Sequence, residues 1–407
     1  MKNRHYFLPG HPRVLTGLLC KRSCMGLYLL FLYLIGCQAT DDNSAYNRQE
    51  DDTAHPSDPS WAKKLEIRYA RGFDISYFED YKLLQLFQGS DTTLYLLLPQ
   101  TASRPDIYPE AQVIRTPISE LVALSTTHIA LADFVNADSI IIGLDNPAYV
   151  YNPRVRKRVD QGEITTVGEG GNLNQEMVIA LQPDLLMVSG MPGTDLQKYQ
   201  PIIQSGIPVL INTEWMEQTP LGKAEWVKLM AALTNREALV SAKYDTLANE
   251  YQRIAALTDK LDQRPSIVSG SPFQGSWYVP GAKSYRAKLY QQAGAQWPWS
   301  VDSSAVSIPV AFENMYAYGL EADYWLNPGM VNSLHELREK DARFADFKSF
   351  QQGQVYNHNR RLTPDSQGND FFESGMLNPQ RVLADLTYIL HPELLPGHDL
   401  YYYQKLD

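Results

Sequence analysis

The chain has 407 residues, enough for one large bilobal unit or for two or three domains. Its formal net charge of −10 argues against a nucleic-acid partner, because phosphate backbones are held by clustered Lys and Arg. Aromatic residues make up 11%, with 25 Tyr and 7 Trp, so some of these rings are expected to line a surface or cleft.

Residues 1–36 read as a secretion signal rather than as part of the fold. Lys21 and Arg22 form a basic flank, and Gly26 to Gly36 is an apolar run too short to span a bilayer. The run ends in Leu34-Ile35-Gly36-Cys37, which resembles a bacterial lipobox, in which the Cys is lipidated and becomes the first mature residue. All three cysteines (Cys20, Cys24, Cys37) fall in this segment, so the rest of the chain has no disulfide or thiolate chemistry. Cleavage before Cys37 removes Lys2, Arg4, Arg13, Lys21 and Arg22 and no acid, leaving a still more acidic body. No later apolar stretch is long enough to be transmembrane. Residues 37–60 are Asp, Asn, Ser, Thr and Pro with almost no large apolar side chain, and read as a flexible tether.

Residues 61–115 read as a small accessory β element. Leu65 to Tyr69 alternates, Tyr81 to Leu86 and Thr93 to Leu98 follow, and Gly89-Ser90-Asp91 is a turn. Pro99 to Pro117 is expected to be a connector. From Val122 the pattern changes to continuous apolar strands separated by helical stretches, the signature of βα units around a parallel sheet. The strand at Val122 ends in Ser125-Thr126-Thr127-His128, a helix follows to Val135, and Ser139 to Leu144 is the next strand. Arg154, Arg156, Lys157 and Arg158 suit a solvated helix face. Gly168 to Asn172 suits a plain turn, because no Gly-Lys-Ser/Thr follows. Asn174 to Val188 is a helix running into a buried strand. Tyr199 to Ser205 is helical, and Ile207 to Ile211 is a further buried strand.

From Lys223 to about Leu261 nearly every residue favours helix. Val240, Tyr244, Leu247, Tyr251, Ile254, Leu257 and Leu261 recur at spacings of three and four. A break at Asn235 leaves a last piece of roughly 25 residues, or ~40 Å, which reads as a rigid strut between lobes. The βα rhythm then resumes with a strand at Ile267 to Gly270, a loop at Trp277 to Gly281 and a helix at Tyr285 to Ala293. A helix at Phe312 to Tyr318 leads to a strand at Tyr324 to Leu326. An edge strand is expected at Val355-Tyr356 and a closing amphipathic helix at Asn378 to Leu390. The expected fold class is therefore α/β: two βα lobes with parallel sheets joined by a long helix, plus the small N-terminal β element. The lobes span 116–220 and 263–396, the linker helix 221–262, and residues 397–407 form a C-terminal tail.

The two halves rhyme. Asn174-Gln-Glu176 through Asp184-Leu-Leu-Met in the first is matched by Phe312-Glu313 through Asp323-Tyr-Trp-Leu in the second. With Leu124-Ser-Thr-Thr-His128 and Ser276-Trp-Tyr-Val-Pro-Gly281, this pattern resembles the iron-siderophore and cobalamin binding family of ABC-transporter solute-binding proteins. The resemblance covers about Thr116 to Pro396, leaving the accessory element outside. It implies a monomer that binds a metal chelate, cobalamin or a ferric siderophore, between its lobes and delivers it to the permease of an ABC importer. It also implies that Glu176 and Glu313, one on each lobe, dock onto permease arginines. Exposed carboxylates far apart on a rigid body would give such a complex its register.

Ligands of open parallel sheets sit at the carboxyl ends of the strands. Thr126, Thr127, Tyr149 and Tyr151 are thus candidates from the first lobe, Trp215 near the hinge, and Trp277, Tyr278, Trp297 and Trp299 from the second. Flat aromatic faces suit a large, partly apolar ligand. Arg360 and Arg361 could meet ligand carboxylates or phosphate. Alternative ligands on the same fold are haem or a bare metal ion, for which His128 would need His335 or His358 from the other lobe. No resident cofactor is expected. An envelope enzyme on a doubly wound fold is the alternative of another class. It lacks a Gly-x-Ser-x-Gly, a P-loop, a GxGxxG and any thiol beyond Cys37. A surface adhesion or scaffold role has only the accessory β element in its favour.

Overall fold

Strands Phe73–Tyr77 (β1), Lys82–Gln88 (β2) and Asp91–Pro99 (β3) form an antiparallel meander. The β2–β3 turn places Gly89 at φ +63°, a conformation that glycine adopts without a steric penalty. In this computed structural model, which describes residues 64–169, 172–190 and 194–407, the expected signal, Cys37 and the tether lie outside the described residues. Gln112–Thr116 (β4) adds to β3 in parallel, so the expected connector from Pro99 to Pro117 supplies a fourth strand.

The segment predicted as a strand at Leu65 to Tyr69 pairs with no other strand. Its amides are taken instead by carboxylates. The N–H groups of Arg68, Tyr69 and Ala70 donate to Glu225 at 2.6–3.0 Å, and those of Arg71 and Gly72 donate to Glu217 at 2.9–3.1 Å. Glu225 is fully buried and also pairs with the Lys228 ammonium at 2.6 Å.

The first lobe contains β5 (Leu121–Ala123), α1 (Thr126–Phe134), β6 (Ile141–Leu144), α2 (Pro153–Asp160) and β7 (Thr165–Thr166). A small hairpin follows, Gly168–Glu169 (β8) with Asn172–Leu173 (β9). Then come α3 (Gln175–Leu181), β10 (Leu185–Ser189), α4 (Gln200–Gln204) and β11 (Val209–Asn212). The sheet order is β11-β10-β5-β6-β7, all parallel. The outer edge of β11 is covered by the accessory sheet. Gln112 accepts from the Val209 N–H at 2.9 Å and donates to its carbonyl at 3.2 Å, and the Tyr95 hydroxyl donates to the same carbonyl at 2.9 Å. Such capping removes a strand edge that would otherwise be open to pairing.

The linker comprises three helices, α5 (Pro220–Glu225), α6 (Val227–Thr234) and α7 (Glu237–Ala256). The chain turns at Asn235, which takes the left-handed conformation at φ +54°. The buried Lys82 ammonium of the accessory sheet ties this turn down, donating to the Ala232 carbonyl at 2.9 Å, to Asn235 Oδ1 at 2.8 Å and to Glu237. The strut itself is the 20-residue α7, about 30 Å long and so shorter than expected.

The second lobe runs through β12 (Ile267–Ser269), β13 (Pro272–Phe273), β14 (Ser276–Pro280), α8 (Tyr285–Gln292), β15 (Ser307–Val310), α9 (Phe312–Gly319) and β16 (Tyr324–Leu326). It continues with α10 (Leu334–Lys340), α11 (Lys348–Gln351), β17 (Val355–Asn357), α12 (Asp370–Glu373), α13 (Pro379–Leu390) and β18 (Gln404–Lys405). Its main sheet is β12-β16-β17-β18, with only β18 antiparallel, and β13-β14-β15 forms a separate antiparallel sheet. Three expectations change here. Trp277 to Pro280 is a strand paired on both sides, not a loop, and β17 is internal because the chain's last residues return to cover it. Residues 397–407 are accordingly not a tail. Tyr402, Tyr403 and Leu406 are buried, and Asp385 of α13 accepts the N–H groups of Tyr401, Tyr402 and Tyr403. The two lobes with parallel sheets, the joining helix and the N-terminal β element are as the sequence implied.

Removing a partner from a buried ion pair leaves an uncompensated charge, costing about 3–5 kcal/mol. The substitution Glu225→Ala, which strands Lys228 and three backbone amides, is expected to lower the unfolding free energy in urea by about that amount. A loss below about 1 kcal/mol would show that the clamp on residues 68–70 carries little stability.

Candidate functional site

The parallel strands of each lobe end where the lobes meet. On the first lobe, Ser125 follows β5 and caps α1, its Oγ accepting from the Thr127 N–H at 3.3 Å. Ser125, Thr126, Asp145, Asn146 and Tyr149 line a pocket at the carboxyl ends of β5 and β6, of about 280 Å³ counted to its open mouth. Tyr149 is 56% exposed there. Past β11, the Trp215 indole N–H donates to the Gly190 carbonyl at 2.6 Å, while Glu214 beside it is buried. Burial raises the Glu214 pKa, opposed by the nearby Lys223 ammonium and by a hydrogen bond to Thr127.

A second pocket lies at the junction of linker and second lobe, about 470 Å³ counted to its mouth. Lys223 of α5, Tyr285 and Leu289 of α8, Phe371, Phe372 and Met376 line it. The Lys223 ammonium stands 4.6 Å from the centroid of the Tyr285 ring. Tyr285 is pulled down to about 8, first by Lys223, against the opposing effect of burial, and further by Arg286. His358 packs its ring on Phe371 at 4.2 Å and Phe372 at 5.0 Å. Burial and then Arg286 push its pKa down to about 3, so it is neutral.

Several expected ligand residues lie elsewhere. Trp277 is fully buried, its N–H donates to the Ser269 carbonyl at 2.8 Å, and its ring packs on Trp325 at 5.8 Å and Phe347 at 6.2 Å. It is core, while Tyr278, the next residue of the same strand, points outward at 44% exposure. Trp297 is buried edge-on against Tyr290 at 5.9 Å and faces a separate pocket with Thr258, Arg264 and Lys288. Trp299 packs edge-on against Tyr318 at 5.5 Å. Arg361 is spent on Asp370 at 2.5 Å and stacks over Tyr401 and Tyr151, at 4.3 and 5.3 Å. Arg360 is exposed. His128 is buried and pushed down to about 3 by burial. His335 is exposed and pairs with Glu339, so the three histidines considered for a metal do not converge. Among the described residues no group of three His, Cys, Asp or Glu is placed to hold an ion.

Tyr151 and Arg361 meet in a seam between the lobes. Glu373 of α12 reaches across it and accepts the N–H groups of Tyr151 at 2.7 Å and Asn152 at 2.9 Å. Gly368 lies so near Val150 that a Cβ would come within 2.8 Å of the Val150 carbonyl oxygen.

Glu176 and Glu313 are both exposed in the first turns of α3 and α9. Each helix leads by a short connection into the strand beside its lobe's first strand, β10 beside β5 and β16 beside β12. The correspondence extends further. Asp184 accepts from the Ser119 N–H at 2.7 Å and hydroxyl at 2.9 Å, and Asp323 accepts from the Ser266 N–H at 2.8 Å and hydroxyl at 2.7 Å.

A periplasmic binding protein family profile matches residues 140–361, more than half of the chain. The chain belongs to the periplasmic binding protein family. This meets the resemblance to iron-siderophore and cobalamin binding proteins carried by the paired Glu and Asp motifs. An uncharacterized lipoprotein of Methanocaldococcus jannaschii is 23% identical over 396 residues, covering 91% of this binding protein and 92% of the relative. That share cannot be reached without entering the residues before Thr116, so the match extends beyond the two lobes. Among solved structures, a periplasmic heme binding protein from Pseudomonas aeruginosa superposes with a TM-score of 0.52 at 14% identity, covering 71% of this chain and 98% of that one. A periplasmic vitamin B12 binding protein of Vibrio cholerae gives 0.50 at 11% identity, covering 69% and 99%. These likenesses establish a shared fold.

Sequence reasoning did not find Glu214, Lys223, Tyr285, Arg286, Phe371, Phe372 or Glu373. They come from separate elements, and no local motif joins them. Burial raises the Glu373 carboxyl to about 8 from 4.5, against the opposing hydrogen bonds. A raised carboxyl favours the folded state fully below pH 4.5 and loses that contribution as pH rises through about 8. The stability of the native chain relative to Glu373→Gln is therefore expected to fall between pH 5 and 8, followed as the difference in melting temperature. A difference that stays flat across that range would exclude this titration.

Proposed function

We propose that this protein is held to a membrane by a lipid on Cys37 and captures a metal chelate where its lobes meet, delivering it to the permease of an ABC importer. The observation that carries the reading is that Thr127 after β5 and Glu214 after β11 neighbour Lys223 and Tyr285, and His358 after β17 neighbours Arg286, with the 20-residue α7 joining the lobes. A packed helix resists the wide hinge bending that strand linkers allow, so closure would be modest. Thr126, Thr127, Tyr149, Trp215 and Tyr278 remain candidate contacts, joined by Lys223, Tyr285, Phe371 and Phe372. Cobalamin, a ferric siderophore and haem all have the partly apolar, flat character that such walls suit. The binding of haem and vitamin B12 by neighbours of the same fold makes these the first ligands to try.

Glu176 and Glu313 would dock the loaded protein, each from the first turn of an equivalent helix. A helix N-terminus also favours a carboxylate by about 0.3–1 kcal/mol, so local stability alone could account for either one singly. Their equivalence in the two lobes favours docking. The lipoprotein relative supports an envelope location and the anchor at Cys37, and a monomer would suffice for delivery.

Calorimetric titration of the protein beginning at Gln38 with cobalamin, haem and ferric siderophores is expected to show saturable binding of one of them; silence against all would remove this ligand class. The double substitution Glu176→Arg with Glu313→Arg is expected to abolish uptake while leaving ligand affinity unchanged. Lost affinity would place these residues in the fold or the cleft instead. Cys37→Ser should release the protein from the membrane fraction.

A further inference from the structure

A separate concavity of the second lobe lies at the amino end of β12, the end away from the lobe junction. Arg264 precedes β12, Thr258 and Asp259 follow α7, and Lys288 and Gln291 belong to α8. Trp297 enters it where Gln296 bridges to Ser266 just before β12. The space measures about 1200 Å³ counted to its open mouth, and the small side chains of Ala282, Ala287 and Ala295 help to leave it. It shares no lining residue with the junction pocket, which Tyr285 and Leu289 face from another side of α8.

The polar groups around this space are mostly donors. The Arg264 guanidinium donates to the Thr258 carbonyl at 2.9 Å and the Gln291 carbonyl at 3.2 Å. Those bonds orient its planar fork without neutralising it, and its other N–H groups remain for an acceptor. The Lys288 ammonium reaches the Gln291 side-chain oxygen at 3.4 Å. Among the described residues neither cation has a carboxylate within ion-pair distance, and the one acid that lines the pocket, Asp259, is exposed. Trp297 adds an unmet donor. It is 8% exposed, and its buried indole N–H has no hydrogen-bond partner. In the same lobe the indoles of Trp277 and Trp325 donate to the carbonyls of Ser269 and Gly270, both at 2.8 Å. A buried donor without an acceptor is costly, so the place beside Trp297 calls for an oxygen that the fold does not supply.

We infer that this outer pocket is a second binding site, for a small organic oxyanion (a carboxylate or a phosphate ester) whose oxygens pair with Arg264 and Lys288 and accept from the Trp297 indole. Arginine offers a fork and lysine a point charge, and an oxyanion accepts from both. The site is independent of chelate capture, because it lies at the opposite end of β12 and on another side of α8.

The test is calorimetric titration of the full-length protein in detergent, in a buffer free of other oxyanions, with citrate, inorganic phosphate and uncharged glycerol. At least one of the two anions is expected to bind with a dissociation constant of about 1 mM or tighter, and glycerol is not. Citrate binding alone assigns a carboxylate, and phosphate binding alone a phosphate ester. Lys288→Met should weaken the anion about tenfold or more and Trp297→Phe about threefold or more, while Lys288→Arg retains most of the affinity. Unchanged circular dichroism and melting temperature would show that the variants fold. Lys288 is only half-buried, so its variants keep the test open should Trp297→Phe unfold. Lys223→Met reports on the junction pocket and is expected to leave the anion affinity unchanged. Affinity lost in Lys223→Met but kept in Lys288→Met would place the anion at the junction and overturn the second site. Binding of neither anion, or of glycerol equally well, would overturn it too.

Discussion

Buried or half-buried carboxylates that receive backbone N–H groups hold this molecule together wherever regular structure runs out. A carboxyl oxygen accepting from several amides satisfies donors that would be costly to bury alone. Glu225 and Glu217 fix residues 68–72 against α5, Asp385 fixes residues 401–403 against α13, and Glu373 fixes residues 151–152 across the lobe seam. Asp184 and Asp323 do the same where a serine precedes the first strand of each lobe. These contacts add to the packing that places the accessory element, the last strand and the lobe seam, beside the Lys82, Gln112 and Tyr95 contacts of the accessory sheet.

The division of labour between the lobes follows from that fixing. The first lobe presents hydroxyls, an aspartate and Tyr149 at its strand ends, while the junction presents Lys223, Tyr285 and a phenylalanine pair. The second lobe concentrates its largest rings, Trp277, Trp325, Phe344 and Phe347, in its core, with the Trp325 ring 4.9 Å from Phe347 and 5.1 Å from Phe344.

The βα rhythm, the helix break at Asn235 and the equivalence of Glu176 with Glu313 were legible because each is written in consecutive residues. Periodicity of apolar side chains and a residue tolerant of positive φ are local signals. The error at Trp277 came from reading Trp277 to Gly281 as a loop, on which adjacent rings can share one surface, where the chain forms a strand. A strand sends alternate side chains to opposite faces, so Trp277 and Tyr278 could not both face a ligand, and β14 buries the first and exposes the second. Leu65 to Tyr69 failed for a related reason. Its alternation was genuine, but its amides found carboxylates from more than a hundred residues away. Lys223, Tyr285, Phe371 and Glu373 were invisible for the same cause, since nothing in their neighbourhoods records what the fold brings beside them.

The clamp on residues 68–72 also has a mechanical meaning. Any pull exerted through the chain before residue 64 enters the folded body at this segment, where the backbone is gripped by Glu225 and Glu217 on the linker side of the molecule. The load passes into α5 and its neighbours rather than along a strand of either lobe. Such a pull meets the Glu225 and Glu217 clamp before it meets the seam held by Glu373.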